Sequence, residues 1–566
     1  MSFLFKDIRF FRVFVLLFIM NSICITFSMF YDYGKYFDSY WFYSFAYRES
    51  FFILSYGLLF FIIYHLRLRL IQNFLLGLVL VLSLIAFLVN IFLLYNFKSN
   101  LSSYLFSFAL DTNSRESVEF LHNYLSMPLL LICLALLVLF AFLYLKLKPL
   151  SINKRLLNSV FVLALIAMVF IHIFRLRPVD ERWSDVLYNA YNSFNKAFHT
   201  IAAVKDYKQS NAVLKEVADN LKNLNPPTKP KKHIKNVVVV VGESAQRSYL
   251  QSYGYELNST PLFSKRLEQS PENTFLFDNV ISAKVSTSDS LSLALTFANM
   301  ENKALWYKSL NFIDLFSLLD YDSYVFSNQE NVGVFAIAHV SIFNRAKNIT
   351  FLNKTDKFDI ARFDENLLKP LAEAKEKSDK PSLFVVHLLG SHATYYKRYP
   401  KEFDVFSSNS MNGGGHCKNT KAEYLNSILY TDFVLDEIIN IFKDEDSLVL
   451  YFSDHGEEVC DVDDFSGHVG TRISRFMLEV PFVLYLSNTF KQEHEDFYKR
   501  IKNTDKSVPY MLDDLTHTLA DIAGGKILGY EEKRSIFSSD DSFLRARQRV
   551  VGEKPFKDYD KELKKF

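Results

Sequence analysis

The chain has 566 residues, half of them apolar and 16% aromatic, with 64 Lys and Arg against 62 Asp and Glu for a net charge of +2. Few Gly and Pro (17 and 14) exclude a disordered or collagen-like chain, and four Cys exclude a disulfide-dense small scaffold. The near-zero charge gives no reason to expect a nucleic-acid partner, and the mean hydropathy of +0.06 is high for a soluble enzyme.

The apolar residues are concentrated at the N-terminus. Five long apolar runs lie near 10–30, 50–66, 70–96, 126–145 and 156–174. Each approaches the roughly 20 residues that a bilayer-spanning helix needs. The second run is the weakest, with Arg48 and Glu49 at its start. The first is long, lacks a small-x-small cleavage site and is followed by further runs, so it reads as a span and not as a signal peptide. With the N-terminus in the cytoplasm, the inner segments hold Lys6, Arg9, Arg12, Arg67, Arg69, Lys146, Lys148, Lys154 and Arg155 against Asp7 alone. The outer loops hold Lys35, Arg48, Lys98 and Arg115 against six acids. That is a positive-inside distribution. Five spans then place everything beyond residue 174 outside the cytoplasm.

Residues 180–222 read as a polar, amphipathic helical stretch with Trp183, Tyr188, Tyr191, Phe194 and Phe198. Such a segment either bridges along the membrane surface or packs on the domain that follows. Asn225-Pro226-Pro227-Thr228-Lys229-Pro230 is a stiff linker. The expected domains are therefore a membrane domain over 1–177, a bridging helix and linker over 178–232, and a catalytic domain over 233–566.

Val237 to Val241 form a β-branched run bounded by polar residues, as in a strand buried on both faces. Comparable runs recur at 382–388, 446–452 and 480–486, with helical patterns between them. That alternation points to an α/β domain with a mostly parallel sheet, whose site lies at the carboxyl ends of the strands.

The first strand ends in Gly242-Glu243-Ser244, and the 446–452 strand in Ser453-Asp454-His455-Gly456-Glu457. Adjacent Asp and His beyond a strand offer oxygen and nitrogen donors that zinc accepts, although a loop with satisfied Asp and His has the same sequence. The 382–388 strand leads through His387 to His392, and His468 stands in Ser466-Gly467-His468. Between the first two strands, Ser286-Thr287-Ser288-Asp289-Ser290 leads into Leu291-Ser292-Leu293-Ala294-Leu295, the pattern of a helix start rich in hydroxyls. This is an ordinary N-cap or, beside a metal, an anion site with a nucleophile.

Together these residues resemble the lipid A phosphoethanolamine transferases, the group that includes the mobile colistin-resistance enzymes. The resemblance spans essentially the whole chain and rests on Val-Val-Gly-Glu-Ser (240–244), Ser-Thr-Ser (286–288), Gly-Ser-His-Ala-Thr-Tyr-Tyr-Lys-Arg-Tyr-Pro (390–400) and Ser-Asp-His-Gly-Glu (453–457). It implies an N-terminal five-helix transmembrane domain joined to a periplasmic α/β domain of the alkaline-phosphatase/sulfatase fold, in the bacterial inner membrane. It implies one tightly bound zinc held by Glu243, Thr287, Asp454 and His455, with Thr287 as the nucleophile. His392 and His468 would hold the donor phosphate or a second zinc, and Glu457 would join that second site. Thr112 and Glu116 match positions that line a lipid-donor cavity. The donor would be phosphatidylethanolamine and the acceptor lipid A, the enzyme acting as a monomer. Transfer to another periplasmic glycan, phosphoglycerol transfer and sulfatase-like hydrolysis are the alternatives. The added amine would weaken binding of cationic peptides such as polymyxin.

The chain departs from the family pattern at several places. Phe108 stands where many members have Asn, Ser244 where Thr is usual, and Val332 near a customary Lys. Many members carry several periplasmic disulfides. Here only Cys417 and Cys460 lie outside the apolar runs, so at most one can form in that domain. Cys24 and Cys133 fall within the runs as packing residues.

Overall fold

The computed structural model describes residues 7–33, 39–97, 124–148, 207–330, 338–353, 363–412, 415–470, 472–553 and 556–564. The chain divides into two compact units, an N-terminal one and one that begins at residue 202.

The N-terminal unit is helical. Four of the five apolar runs form the helices Ile8–Tyr33, Ser39–Tyr64, Arg69–Phe97 and Met127–Lys146. The fifth run lies outside the described residues. Three helices among those described are long and apolar enough to cross a membrane, over Ile8–Phe27, Arg69–Asn96 and Met127–Lys146. Leu70, Phe74, Met127 and Leu145 are all more than 60% exposed, which is the pattern of side chains that face hydrocarbon rather than water. Arg48 and Glu49 do not mark the start of the second helix. It begins at Ser39 and runs through both, and both are buried. The Ser22 hydroxyl donates to Glu49 Oε1 at 2.8 Å, so the carboxylate is met from a neighbouring helix.

The second unit is built on a seven-stranded sheet: β1 (Asn236–Gly242), β2 (Thr274–Leu276), β3 (Asp322–Glu330), β4 (Asn348–Asn353), β5 (Ser382–His387), β6 (Ser447–Ser453) and β7 (Phe482–Leu486). Their spatial order is β2-β7-β6-β1-β5-β3-β4. All pairings are parallel except those of β7, which runs against both β6 and β2. Four of these strands are the apolar runs of the sequence. β1 shows why such a run makes a central strand. Val237, Val239 and Val241 enter one core, Val238 and Val240 the other, and all are fully buried. Each is worth about 1.5–3 kcal/mol in apolar burial.

Helices cover both faces. The 28-residue helix Gly415–Phe442 packs Tyr430, Val434, Leu435 and Ile438 on one side. Phe312–Leu318 and Leu515–Ala523 cover the other. Of the amphipathic stretch, the described helix Tyr207–Leu224 packs on this unit, with Leu214 and Ala218 buried and Leu221 against the same core.

Cys417 and Cys460 form a disulfide across 43 residues of sequence. It ties the start of the Gly415–Phe442 helix to the loop after β6. Replacing both with Ser is expected to lower stability by about 4 kcal/mol in the loop-entropy account. Thermal melting of the full-length protein with and without reductant measures this: the wild type should lose stability on reduction and the double variant should not respond.

Candidate active site

The register brings four strand ends level. Gly242 of β1 pairs with Ser453 of β6, Val241 with His387 of β5, and Ser327 of β3 with the same His387. The residues just beyond these pairs therefore meet at one edge: Glu243, Asp454 and His455, Leu388 to His392, and Gln329. In a parallel sheet, that edge is where side chains from neighbouring loops converge.

Glu243, Asp454 and His455 each offer a ligand atom, all within 4.8 Å of one another, and all three residues are buried. His455 Nδ1 donates to the Gly456 carbonyl at 2.8 Å. That bond turns Nε2 toward Glu243 Oε1, at 3.4 Å, and Asp454 Oδ2, at 3.3 Å. A carbonyl on the far nitrogen is the usual support of a metal-binding imidazole. Asp454 Oδ1 accepts from the backbone N–H groups of Ser244 and His455. Asp454 Oδ2 is buried and accepts no hydrogen bond among the described residues. Among the described residues, neither carboxylate pairs with a Lys or Arg. Two buried carboxylates sharing one imidazole, with a bare oxygen facing inward, fit a divalent cation.

The electrostatics agree. Burial resists the charged form of Glu243, but the hydrogen bond and charge of His455, then the charges of His392 and His468, hold its carboxyl well below the usual range. Burial and then the Glu243 charge push Asp454 up to about 8. At His455 burial opposes the imidazolium, yet the two carboxylates outweigh it and push it up to about 10. Without a cation, protons take its place.

Thr287 joins the trio from the first turn of the helix Thr287–Ala294. Its Oγ1 lies 3.2 Å from Glu243 Oε2, 3.4 Å from Oε1 and 3.4 Å from His455 Nε2. Thr287 is only half-buried, so the hydroxyl is both held and reachable. Ser290, one turn on, donates to the Asp454 carbonyl at 2.5 Å and locks the helix to the ligand loop. Ser286 precedes the helix, but its hydroxyl bonds Asp289 Oδ2 and not the backbone.

A second group, His455, Glu457 and His468, lies beside the first. His468 Nδ1 and Glu457 Oε2 are 2.5 Å apart, and the rings of His455 and His468 are 4.1 Å apart. Tyr395 donates to Glu457 Oε1 at 2.6 Å. His392 sits in the turn after β5, with Nδ1 buried and without a hydrogen-bond partner among the described residues. Arg398 holds that turn through the carbonyls of His392 and Ala393. Thr112 and Glu116 lie outside the described residues.

Three contributors were not apparent from the residue pattern. Gln329 donates to Glu243 Oε2 at 2.9 Å, and Ser244 to Oε1 at 2.8 Å. Asp364 accepts from the Leu389 and Gly390 N–H groups and from Asn328. Gln329 and Asn328 stand at the end of β3, which was not among the apolar runs. The signal available was position alone, at the carboxyl end of a strand beside β5.

Two glycines are required here for different reasons. Gly456 packs against the Phe476 carbonyl, so close approach and not turn geometry excludes a side chain. Gly390 has φ +51, and an added Cβ would lie 2.9 Å from both N and O of Glu243. Gly390→Ala is expected to cost about 1–2 kcal/mol in backbone strain alone, and more through that clash. Calorimetric melting checks the stability loss, and a chelator competition should show weaker metal binding, since Glu243 must move.

An α/β/α unit that gathers two buried carboxylates, an imidazole and a helix-start hydroxyl at one edge of a mostly parallel sheet defines a class of site that fits a divalent cation. A family model described as Sulfatase matches residues 235–525, a little over half of the chain, and the chain belongs to that family. Phosphoethanolamine transferase EptC of Escherichia coli strain K12 is 29% identical over 446 residues, covering 75% of this chain and 76% of that protein. The crystal structure of the C-terminal periplasmic domain of Escherichia coli EptC in complex with Zn is similar at a TM-score of 0.55 and 28% identity, covering 60% of this chain and 97% of that one. The integral membrane protein lipooligosaccharide phosphoethanolamine transferase A of Neisseria meningitidis shares the fold at a TM-score of 0.62 and 19% identity, covering 94% and 98% of the two chains.

Proposed function

We propose that this protein transfers phosphoethanolamine from phosphatidylethanolamine to lipid A through a covalent intermediate on Thr287, at a zinc site formed by Glu243, Thr287, Asp454 and His455. The observation that carries the reading is the placement of a reachable hydroxyl, Thr287 Oγ1, within 3.4 Å of both Glu243 and His455. The EptC relative and its Zn-bound periplasmic domain support the headgroup and the metal. Zinc, when bound, supplies Lewis-acid stabilisation of phosphoryl charge and lowers the pKa of a hydroxyl in contact with it.

The chain's residues supply the rest. Glu243 accepts the Thr287 hydrogen bond and so holds Oγ1 in the cluster. Thr287 Oγ1 gives up its proton and attacks phosphorus, the bond to the glycerol oxygen breaks, and diacylglycerol leaves with a proton on that oxygen, so the step is proton-neutral overall. An acceptor oxygen on lipid A then attacks the phosphothreonine and restores the Thr287 hydroxyl. Glu457 fixes the orientation of the His468 ring, and His468 and His392 flank the phosphoryl oxygens. In this reading, domains 1–177, 178–232 and 233–566 divide the work: five spans with a cytoplasmic N-terminus, Thr112 and Glu116 at the donor lipid, and a catalytic domain in the periplasm of a bacterial inner-membrane protein.

The test uses the full-length protein in vesicles with lipid A and headgroup-labelled phosphatidylethanolamine or, in parallel, headgroup-labelled phosphatidylglycerol. Label on lipid A with release of diacylglycerol is expected. Label transferred only from phosphatidylglycerol, or appearing only as free headgroup phosphate, would replace this reading with phosphoglycerol transfer or hydrolysis.

A further inference from the structure

We infer that Gln329 is a positioning residue for the cation ligand Glu243, setting the carboxylate through a hydrogen bond to Oε2. The inference rests on the zinc reading of that cluster.

Glu243 is 1% exposed; besides the longer contacts of the Thr287 hydroxyl, Oε1 accepts from the Ser244 hydroxyl at 2.8 Å and Oε2 from the Gln329 amide at 2.9 Å. The same amide nitrogen donates to the Leu388 carbonyl at 3.2 Å. Both partners of that nitrogen are acceptors, so the network fixes which way the amide faces. The Gln329 backbone N–H donates to Ser327 Oγ at 3.2 Å, and Ser327 Oγ lies 3.1 Å from His387 Nδ1. Gln329 is thus tied to β3 behind it, to the β5 exit beside it and to the carboxylate in front.

The chemistry of the donor matters. A carboxylate has about four lone-pair sites. Ser244 and Gln329 occupy one on each oxygen, and the Glu243 plane then has little freedom to turn away from Thr287 and His455. A Lys or Arg would orient the group equally well but would neutralise it and compete with a cation. A neutral amide orients the carboxylate and leaves its charge available. Residues that hold a metal ligand in this way typically account for about 10–100-fold in metal affinity.

The test measures zinc affinity of the full-length protein in detergent by chelator competition, together with the visible absorption of the Co²⁺-loaded form and melting of the metal-free form. Gln329→Met keeps the volume and removes the donor; Gln329→Asn keeps an amide but draws it back by one methylene. Both variants are expected to melt like the wild type without metal, to bind zinc about 10–100-fold more weakly, and to shift the Co²⁺ bands. Folded variants with zinc affinity within a factor of about two of wild type and an unchanged Co²⁺ spectrum would overturn the inference. Loss of affinity in the variants, in a protein that takes no headgroup from phosphatidylethanolamine, would overturn the proposed donor and leave this inference standing. A wild type that binds no zinc would overturn both.

Discussion

Thr287→Ala is expected to abolish a covalent phosphoethanolamine adduct and to lower transfer by about three or more orders of magnitude, the scale seen when a nucleophile is removed. The adduct would be read by peptide mass spectrometry of full-length protein incubated with phosphatidylethanolamine, on the peptide that contains Thr287. The reason is geometric. Ser286 and Ser288 flank Thr287, but only the Thr287 hydroxyl is bonded to both Glu243 and His455. Ser286 is engaged with Asp289, and Ser288 faces the Ala338 N–H at 3.4 Å. Thr287→Ser keeps the oxygen and is expected to retain the adduct. An adduct that persists in Thr287→Ala, or one that maps to another hydroxyl, would remove Thr287 from its role while leaving the cluster intact.

Zinc titrated into the metal-free protein is expected to release about two protons at pH 7, because metal ligands must be deprotonated to bind. Raised proton affinity at Asp454 and His455, pushed up to about 8 and about 10, means that both hold a proton at pH 7 when no cation is present. Binding must displace them. The sign follows: apparent affinity rises with pH between 6 and 8, and proton release falls toward one above pH 8, where Asp454 ionises unaided. Calorimetric titration in two buffers of different ionisation enthalpy counts the protons, and release near zero would mean the cation binds elsewhere. In Asp454→Asn one displaced proton and one anionic ligand disappear. Binding should then weaken on the order of 100-fold or more, taking a four-ligand zinc site at about 10–16 kcal/mol as about 3 kcal/mol per ligand.

The strands near 236–241, 382–388, 446–452 and 480–486 were readable because a strand buried on both faces needs an uninterrupted apolar run, and few other elements do. β3 was not. Tyr324, Val325 and Phe326 are its only large apolar residues, and Ser327, Asn328 and Gln329 at its end are polar because they hold His387, Asp364 and Glu243. Its function removed its own strand signal. The antiparallel direction of β7 was equally hidden, since a buried run looks the same in either direction. Arg48 and Glu49 weakened the second run as a span, and the helix Ser39–Tyr64 that buries both is not among the three described helices long and apolar enough to cross a membrane. Spacing left the pairing of Cys417 with Cys460 open, because a covalent contact across 43 residues depends on where the long helix and the β6 loop come to rest.

The sequence by itself determined the residue types just beyond β1, β5 and β6, the hydroxyl-rich helix start and the apolar helices, because hydrophobic periodicity, capping and residue type act over a few residues. The tertiary structure decided which ends meet. Thr287 lies 44 residues from Glu243 and 168 from His455, and these become neighbours only through the order β6-β1-β5-β3 and the register of its parallel pairs. That order is set by crossovers and by the packing of helices on both faces, interactions whose energy belongs to the assembled sheet and to no single segment.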